Sequence, residues 1–144
     1  MTENEIAKII VDTAFRIHRD LGPGLFESVY ERIMDVELTR RGLSVSRQKP
    51  IPIVYNDVHF EAGFRCDLLI ERKVIVEVKS AEALHPVHKK QVLTYLRFAD
   101  KKLGLLINFN VALMKDGIVR LVNGLREEEF LAQRRKGPQS TQRI

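Results

Sequence analysis

Residues 63–80 read GFRCDLLIERKVIVEVKS, two apolar runs separated by the polar residues Glu71-Arg72-Lys73. Apolar residues recur at every second position, which is the period of a β-strand with one buried face. The stretch therefore predicts two antiparallel strands, the first ending at Ile70 and the second beginning at Val74. Each run also carries an acid, Asp67 or Glu77, where another apolar residue would fit the pattern.

The hydrophobic pattern sets the register of these strands. One face should hold six apolar side chains: Cys66, Leu68, Ile70, Val74, Val76 and Val78. The other face should hold three opposed pairs: Leu69 with Ile75, Asp67 with Glu77, and Arg65 with Lys79. A slip of one residue would mix the two sets, so the pattern favours this register.

Opposing two carboxylates across a strand pair is costly. The Cβ atoms of directly opposed residues lie about 4.5–5.5 Å apart. Two like charges at that separation repel by roughly 3 kcal/mol at an effective dielectric constant of about 20. Two kinds of compensation remain open at this stage. One is a divalent cation between the acids, and the other is a pair of diagonal salt bridges, Arg65 to Glu77 and Lys79 to Asp67.

The remaining sequence predicts two N-terminal helices, a block of strands, a third helix and further strands, which is a mixed α/β (α+β) class. Helices are expected at 2–21, 26–41, 86–99 and 127–135. Strands are expected at 51–55, 58–70, 74–79 and 103–108, followed by a hairpin of 111–114 with 118–122. One domain should span 1–132, and 133–144 should be a basic, disordered tail.

The net charge of +5 is concentrated at the C-terminus. Residues 133–144 contain four basic residues and no acid, which leaves 20 basic and 19 acidic residues in the other 132. The nearly balanced charge of these 132 residues is therefore weak support for polyanion binding.

Other features of the composition limit the class of protein. The single cysteine, Cys66, excludes an internal disulfide and suits a reducing compartment. No apolar run approaches the roughly 18 residues of a membrane helix. We therefore expect a soluble, cytoplasmic protein without a membrane partner. A zinc site at His85 and His88 is disfavoured because the chain has only one cysteine, and Gly22-Pro23-Gly24 lacks the lysine of a phosphate-binding loop.

The order of motifs resembles that of the PD-(D/E)XK nuclease superfamily, and within it the GxxExxY family. The naming motif is present as Gly24-Leu25-Phe26-Glu27-Ser28-Val29-Tyr30. It is followed by GFRCDLL, EVKS, PVHKKQVLTYL and KLGLLINFN, so that the resemblance covers roughly Ile6 to Leu125. The residue before Asp67 is Cys66 and not the proline of the superfamily's name.

The resemblance implies a restriction-endonuclease-like fold, a central mixed sheet flanked by helices. It implies that Asp67 and Glu77 ligate a divalent metal, Mg²⁺ or Mn²⁺, and that Lys79 is catalytic. Glu27, at the start of the second helix, would match a further acidic ligand of the superfamily, or it is a favourable charge in a first helical turn.

The third helix offers a set of polar residues on one side. His88, Gln91 and Tyr95 are spaced i, i+3 and i+7, and they could hold water, metal ligands or backbone phosphate. Alternatively, Tyr95 is amphipathic core and the other two are solvated. Arg65 could contact a phosphate from the strand face, while Tyr30 is expected in the core because it lies within an apolar stripe.

Three functions fit these features. The leading hypothesis is a metal-dependent nuclease that acts on DNA more readily than on RNA, with a homodimer as its possible state. The second is a binding module for nucleic acid or protein that keeps the nuclease scaffold without catalysis. The third is a structural or dimerising protein in which the four charged residues form only an ion network.

Overall fold

The computed structural model describes residues 1–125 and, for the backbone alone, Thr141–Gln142. The helix expected at 127–135 lies outside the described residues, as does the expected tail apart from those two. The helices are α1 (Glu3–Leu21), α2 (Glu27–Arg40) and α3 (Pro86–Ala99), with a short 3₁₀ helix at Met114–Gly117. The strands are β1 (Val45–Tyr55), β2 (Val58–Ile70), β3 (Val74–Lys79), β4 (Leu103–Asn108), β5 (Ile118–Val122) and β6 (Thr141–Gln142).

Strands β1 to β5 form one mixed sheet in sequence order, and the two-residue β6 pairs with β5. Only β3 and β4 are parallel within the five-stranded part, and α3 is the crossover between them. Helices α1 and α2 pack on one face and α3 packs on the other. The predicted mixed sheet flanked by helices is therefore confirmed. None of the helices in the described part is both long and apolar enough to span a bilayer.

The first helix begins as the sequence predicts. The side-chain oxygen of Thr2 accepts from the Glu5 amide at 3.2 Å, and the Glu5 carboxylate accepts from the Thr2 amide at 3.0 Å, which completes a capping box. Ile6 and Ile10 are fully buried against the sheet. Full burial of each such side chain contributes roughly 1.5–3 kcal/mol to the free energy of unfolding. The apolar stripe of α1 therefore holds the helix on this face of the sheet.

The third helix packs closely on the opposite face. Val92 and Leu96 are buried against Ile75 and Leu106 of the sheet. A Cβ atom added to Gly104 would lie 2.8 Å from Cγ1 of Val92. Glycine in β4 therefore sets how near α3, with its polar residues, approaches the sheet.

The predicted register of β2 and β3 is confirmed where the strands pair, at Leu68–Val76, Leu69–Ile75 and Ile70–Val74. The turn contains no glycine. Glu71 and Arg72 instead adopt the left-handed backbone angles that the turn requires, with φ of 54° and 57°. The Glu71 amide and carboxylate both bond to the backbone of Ser44, at 2.8 and 2.7 Å. These bonds anchor a turn that would otherwise be strained.

The predicted apolar face is wrong at Cys66. Leu68 packs on the α1–α2 side, but Cys66, two residues earlier, packs on the α3 side with Leu69. The alternation breaks at Asp67, where the regular pairing of β2 with β3 ends. Across from Asp67 in β1, Gln48 has a left-handed φ of 53°, so both strands depart from regular geometry at this point.

The hairpin predicted from 111–114 is also wrong. No strand forms there, and the 3₁₀ helix follows directly. The Val111 carbonyl accepts a hydrogen bond from His18 Nε2 at 2.7 Å, so a contact with α1 replaces strand pairing. The second half of that hairpin, β5, is present but pairs with β4.

We predict that Gly104→Ala will destabilise the protein. The added methyl group collides with Val92, and overpacking of this kind costs roughly 1–3 kcal/mol of the free energy of unfolding. Urea denaturation of Gly104→Ala, Val92→Ala and the double variant measures the effect. The double variant should be more stable than the sum of the single effects, because the smaller side chain leaves room for the methyl group. Simple additivity would contradict the proposed contact.

Candidate functional site

Asp67 and Glu77 are interlocked through the backbone of the opposite strand. The Asp67 amide donates to Oε2 of Glu77 at 2.8 Å, and the Val78 amide donates to Oδ2 of Asp67 at 2.9 Å. Side-chain carboxyl groups thus take the place of backbone acceptors where the ladder between β2 and β3 ends. These bonds fix the position of both acids and hold them next to each other.

The electrostatic cost of this arrangement falls on Glu77. Its side chain is 7% exposed, and burial raises its pKa from 4.5 to about 8, with the Asp67 charge as the next cause. The hydrogen bond from the Asp67 amide and, more weakly, the charge of Lys79 act against this rise in pKa. Glu77 therefore holds a proton around neutral pH unless a cation lies beside it.

The predicted network of diagonal salt bridges does not form. Ion pairs with N–O distances of 4.0 Å or less, within residues 1–125, occur on α1 and at the end of α2. Arg65 is exposed, and Lys79 is half-buried near the acids without touching a carboxylate in this part of the chain. The charge of the acid pair is therefore left without the compensation that the ion-network hypothesis requires.

Two residues that the sequence analysis did not select adjoin Asp67. Gln48 Nε2 donates to Oε1 of Glu31 at 2.6 Å and to Oδ1 of Asp67 at 3.2 Å. The pKa of Glu31 is raised, mainly by burial, with Asp67 and Glu27 contributing further. Gln48 thereby joins α2 to the acid pair. The available sequence signal was weak, since Glu31 lies one helical turn after Glu27.

Glu27 lies at the first turn of α2 and is exposed. It lines a cavity of about 650 Å³ together with Ser80 and Asn110. In the described residues, no cluster of three or more His, Cys, Asp or Glu side chains is suitably placed to hold one metal ion. Metal ligation by Glu27 consequently stays a prediction.

Helix α3 brings His88 within reach of the Lys79 charge and Tyr95 within reach of the Glu77 charge. His88 has a lowered pKa, first through burial and then through the Lys79 charge, and its Nδ1 accepts from the His85 amide at 3.3 Å. Tyr95 stacks on Phe64 with ring centroids 4.2 Å apart. Burial and then the charge of Glu77 raise the Tyr95 pKa. Tyr95 is thus both part of the packing and close to the acids.

Gln91 and Arg65 remain exposed to solvent. Neither is joined to the acid pair by a hydrogen bond among the described residues. Their roles in binding substrate are untested predictions.

The backbone after Lys79 is held firmly in place. The Phe109 amide donates to the Lys79 carbonyl at 2.9 Å. The side chain of buried Asn108 forms two hydrogen bonds with the backbone of Ala81. Its Oδ1 accepts from the Ala81 amide at 3.1 Å, and its Nδ2 donates to the Ala81 carbonyl at 2.9 Å. Since β3 and β4 are parallel, their carboxyl ends meet at one edge, which is where ligands bind in open sheets of this kind.

The acid pair has the chemistry of a site for a hard divalent cation. Two carboxyl groups at fixed positions supply oxygen donors, and Mg²⁺ is commonly held by one or two carboxylates while it keeps several waters. Burial, and then the charge of Asp67, raises the pKa of Glu77, and a divalent cation beside it would favour the charged form. The residues present therefore fit Mg²⁺ or Mn²⁺ better than zinc, because Cys66 is buried with its pKa raised to about 12.

We predict that Glu77→Gln will stabilise the protein at alkaline pH when metal is chelated. In the folded wild type Glu77 keeps a proton that the unfolded chain releases, so the free energy of unfolding falls as pH rises from about 4.5 to about 8. An upper limit for this loss is on the order of 5 kcal/mol. Glutamine keeps an oxygen for the Asp67 amide and removes the charge. Denaturant melts in EDTA across this range should show a flatter pH dependence for the variant, and parallel profiles would contradict the assignment.

Comparison with known sequences agrees with this geometry. The sequence profile of the PD-(D/E)XK nuclease superfamily matches residues 4–121, which includes both acids and Lys79. No curated protein and no solved structure gives a significant match. With most of the chain matched, the protein belongs to the PD-(D/E)XK nuclease superfamily.

Proposed function

We propose that this protein is a divalent-metal-dependent nuclease that hydrolyses phosphodiester bonds, in DNA more readily than in RNA. The observation that carries the proposal is the interlocked pair of Asp67 and Glu77, whose negative charge has no ion-pair partner among the described residues. Burial is the main cause of the raised pKa of Glu77 and the Asp67 charge is the second, and a doubly charged cation would offset both. Superfamily membership supports the same chemistry.

Asp67 and Glu77 would hold the metal, Mg²⁺ or Mn²⁺. When bound, such an ion lowers the pKa of its water and polarises a phosphoryl oxygen. The two backbone amides orient both carboxyl groups without help from the metal. The orientation of both carboxyl groups is therefore set when the protein folds, and such preorganisation favours catalysis.

Lys79 would supply positive charge near the scissile phosphate. It is on the same face as Glu77, two residues along β3, and it is close enough to influence the pKa of both Glu77 and His88. Its ammonium group would orient the attacking water or stabilise negative charge in the transition state. Arg65, His88, Gln91 and Tyr95 would contact the substrate around it.

We predict that purified protein cleaves DNA in Mg²⁺ or Mn²⁺, cleaves RNA less well, and is inactive in EDTA. Lys79→Ala should lower kcat by roughly 10²- to 10³-fold, the effect of losing one preorganised charge-stabilising group. Lys102→Ala is the matched control, because Lys102 is exposed just before β4, at the opposite end of the sheet. Activity that persists in EDTA or in Glu77→Ala would reject the mechanism.

We also predict that Mg²⁺ or Mn²⁺ will raise the Tm of the wild type. A ligand that binds only the folded state adds about 2.7 kcal/mol of stability at a concentration of 100 times Kd. Glu77→Gln should abolish the shift, whereas Glu71→Gln, which changes an acid in the neighbouring turn, should retain it. Equal shifts in both variants would indicate that the metal binds elsewhere.

A non-catalytic module for binding nucleic acid or protein is the second candidate. It is favoured by one observation, that the described residues bring together no more than two potential acidic ligands. A module of this kind would show salt-dependent binding of nucleic acid without heat of metal binding in calorimetry. Metal-dependent cleavage would exclude it.

Three finer assignments are part of this proposal. The motif Gly24, Glu27 and Tyr30 supports membership in the GxxExxY family. The single buried Cys66 is compatible with a cytoplasmic location. A homodimer would bring two sites to the two strands of a duplex, and analytical ultracentrifugation tests it.

A further inference from the structure

Phe26 is exposed at a position where another residue would stabilise the fold. It is 82% exposed, more than any other large hydrophobic residue in the described part of the chain. It is also the N-cap of α2, and it makes no side-chain capping bond. Serine, threonine, aspartate or asparagine is preferred there. Phenylalanine thus forgoes a capping bond and leaves an apolar ring in water.

The loop that carries Phe26 is held by a set of specific bonds. The Tyr30 hydroxyl donates to the Gly22 carbonyl at 2.6 Å and accepts from the Leu25 amide at 3.2 Å. The Tyr30 ring is fully buried, which confirms its expected place in the core, and it stacks on Phe109 with centroids 4.4 Å apart. The loop therefore presents the Phe26 ring from a rigid base.

The same loop is bonded to the end of the proposed catalytic strand. The Ser80 hydroxyl donates to the Leu25 carbonyl at 2.6 Å. Ser80 directly follows Lys79, and Lys79 is tied in turn to Phe109. Phe26 thus lies beside the carboxyl end of β3, where the proposed chemistry occurs.

Phe26 forms part of the wall of the cavity of about 650 Å³ that Ser80 and Asn110 also line. This volume is within the range of small-ligand pockets. An aromatic face with a few polar groups beside it matches a nucleobase, which has a flat apolar face and a polar edge.

Basic side chains line another cavity of the described residues. Residues 112–115 follow Asn110 and line a second cavity, of about 920 Å³. Its charged side chains are Arg16, Arg19, Arg41 and Lys115 against the single acid Asp12. Asp12 is itself paired with Lys8 at 3.0 Å, while Arg19 and Arg41 are paired with Asp20 at 3.4 Å and with Glu37 at 3.0 Å. Arg16 and Lys115 form no ion pair within residues 1–125, and their positive charge complements a phosphodiester backbone.

We propose that Phe26 is a stacking platform for an unpaired base beside the scissile phosphate, so that the substrate is single-stranded nucleic acid or a single-stranded region of a duplex. A base inside a duplex is already stacked on both faces and cannot also stack on Phe26 unless it is flipped out. An unpaired base can stack without that cost. This inference deepens the proposed function, and it can be tested without catalysis.

The test measures binding in EDTA, on a Glu77→Gln background that prevents cleavage. The natural chain contains no tryptophan, so Phe26→Trp introduces the only indole as a fluorescent reporter. Phe60→Trp is the matched control, since Phe60 is an exposed phenylalanine of β2 and lines neither cavity. The probes are short oligothymidylate, oligouridylate, a strand of abasic sugar-phosphate, and a blunt duplex of oligothymidylate with oligoadenylate.

Oligothymidylate or oligouridylate should change the emission of Phe26→Trp, and the stronger of the two shows which of these two polymers is preferred. The abasic strand and the blunt duplex should leave this emission unchanged, as should every probe with Phe60→Trp. Phe26→Ala should weaken single-strand binding by roughly 5- to 150-fold, the range for loss of one stacked base, with little effect on duplex binding.

Phe26→Ser separates stacking from a structural role. Serine restores the missing N-cap, so its Tm should rise while single-strand affinity falls. Unchanged single-strand affinity in both Phe26→Ala and Phe26→Ser would overturn the inference, as would a Phe26→Trp signal that responds equally to duplex. The outcome is separable from the nuclease proposal. If single-strand binding depends on Phe26 but the wild type cleaves nothing, the stacking platform is supported and the nuclease proposal is rejected. If the wild type cleaves and neither binding nor cleavage depends on Phe26, the nuclease proposal is supported and the stacking platform is rejected.

Discussion

The repulsion between the Asp67 and Glu77 carboxyl groups is the constraint on which the rest of this structure depends. Each acid is fixed by an amide of the neighbouring strand, at 2.8 and 2.9 Å, so neither can move away from the other without losing a buried hydrogen bond. Losing such a bond to a buried acceptor costs about 1–3 kcal/mol. The fold thereby holds like charges together, which is the property expected of a site that binds a cation.

The topology brings the other components to the same edge. The α3 crossover makes β3 and β4 parallel, so Lys79 and Asn108 end side by side. Asn108 then fixes the chain that leaves β3. On the other side of the sheet, Gln48 links α2 to Asp67. Gln48 thus gives the acid pair a hydrogen bond on the α2 side, and α3 places Tyr95 within reach of the Glu77 charge.

The sequence predicted the fold class, the first three helices and the β2–β3 register, because periodicity and turn position specify these features locally. It placed Cys66 on the wrong face, because period-two reasoning assumes a regular strand and Asp67 interrupts one. It missed Gln48 and Glu31, whose bonds to the site depend on a left-handed residue within β1. It mistook Val111–Met114 for a strand, since the contact with His18 is long-range. Local patterns therefore located the acids but could not determine what surrounds them.

Anomalous diffraction from crystals soaked in Mn²⁺ tests the central claim most directly. The account predicts a peak between the carboxyl oxygens of Asp67 and Glu77, lost in crystals of Asp67→Asn. A well-occupied peak elsewhere, with these two side chains still held only by their backbone amides and by Gln48, would contradict it.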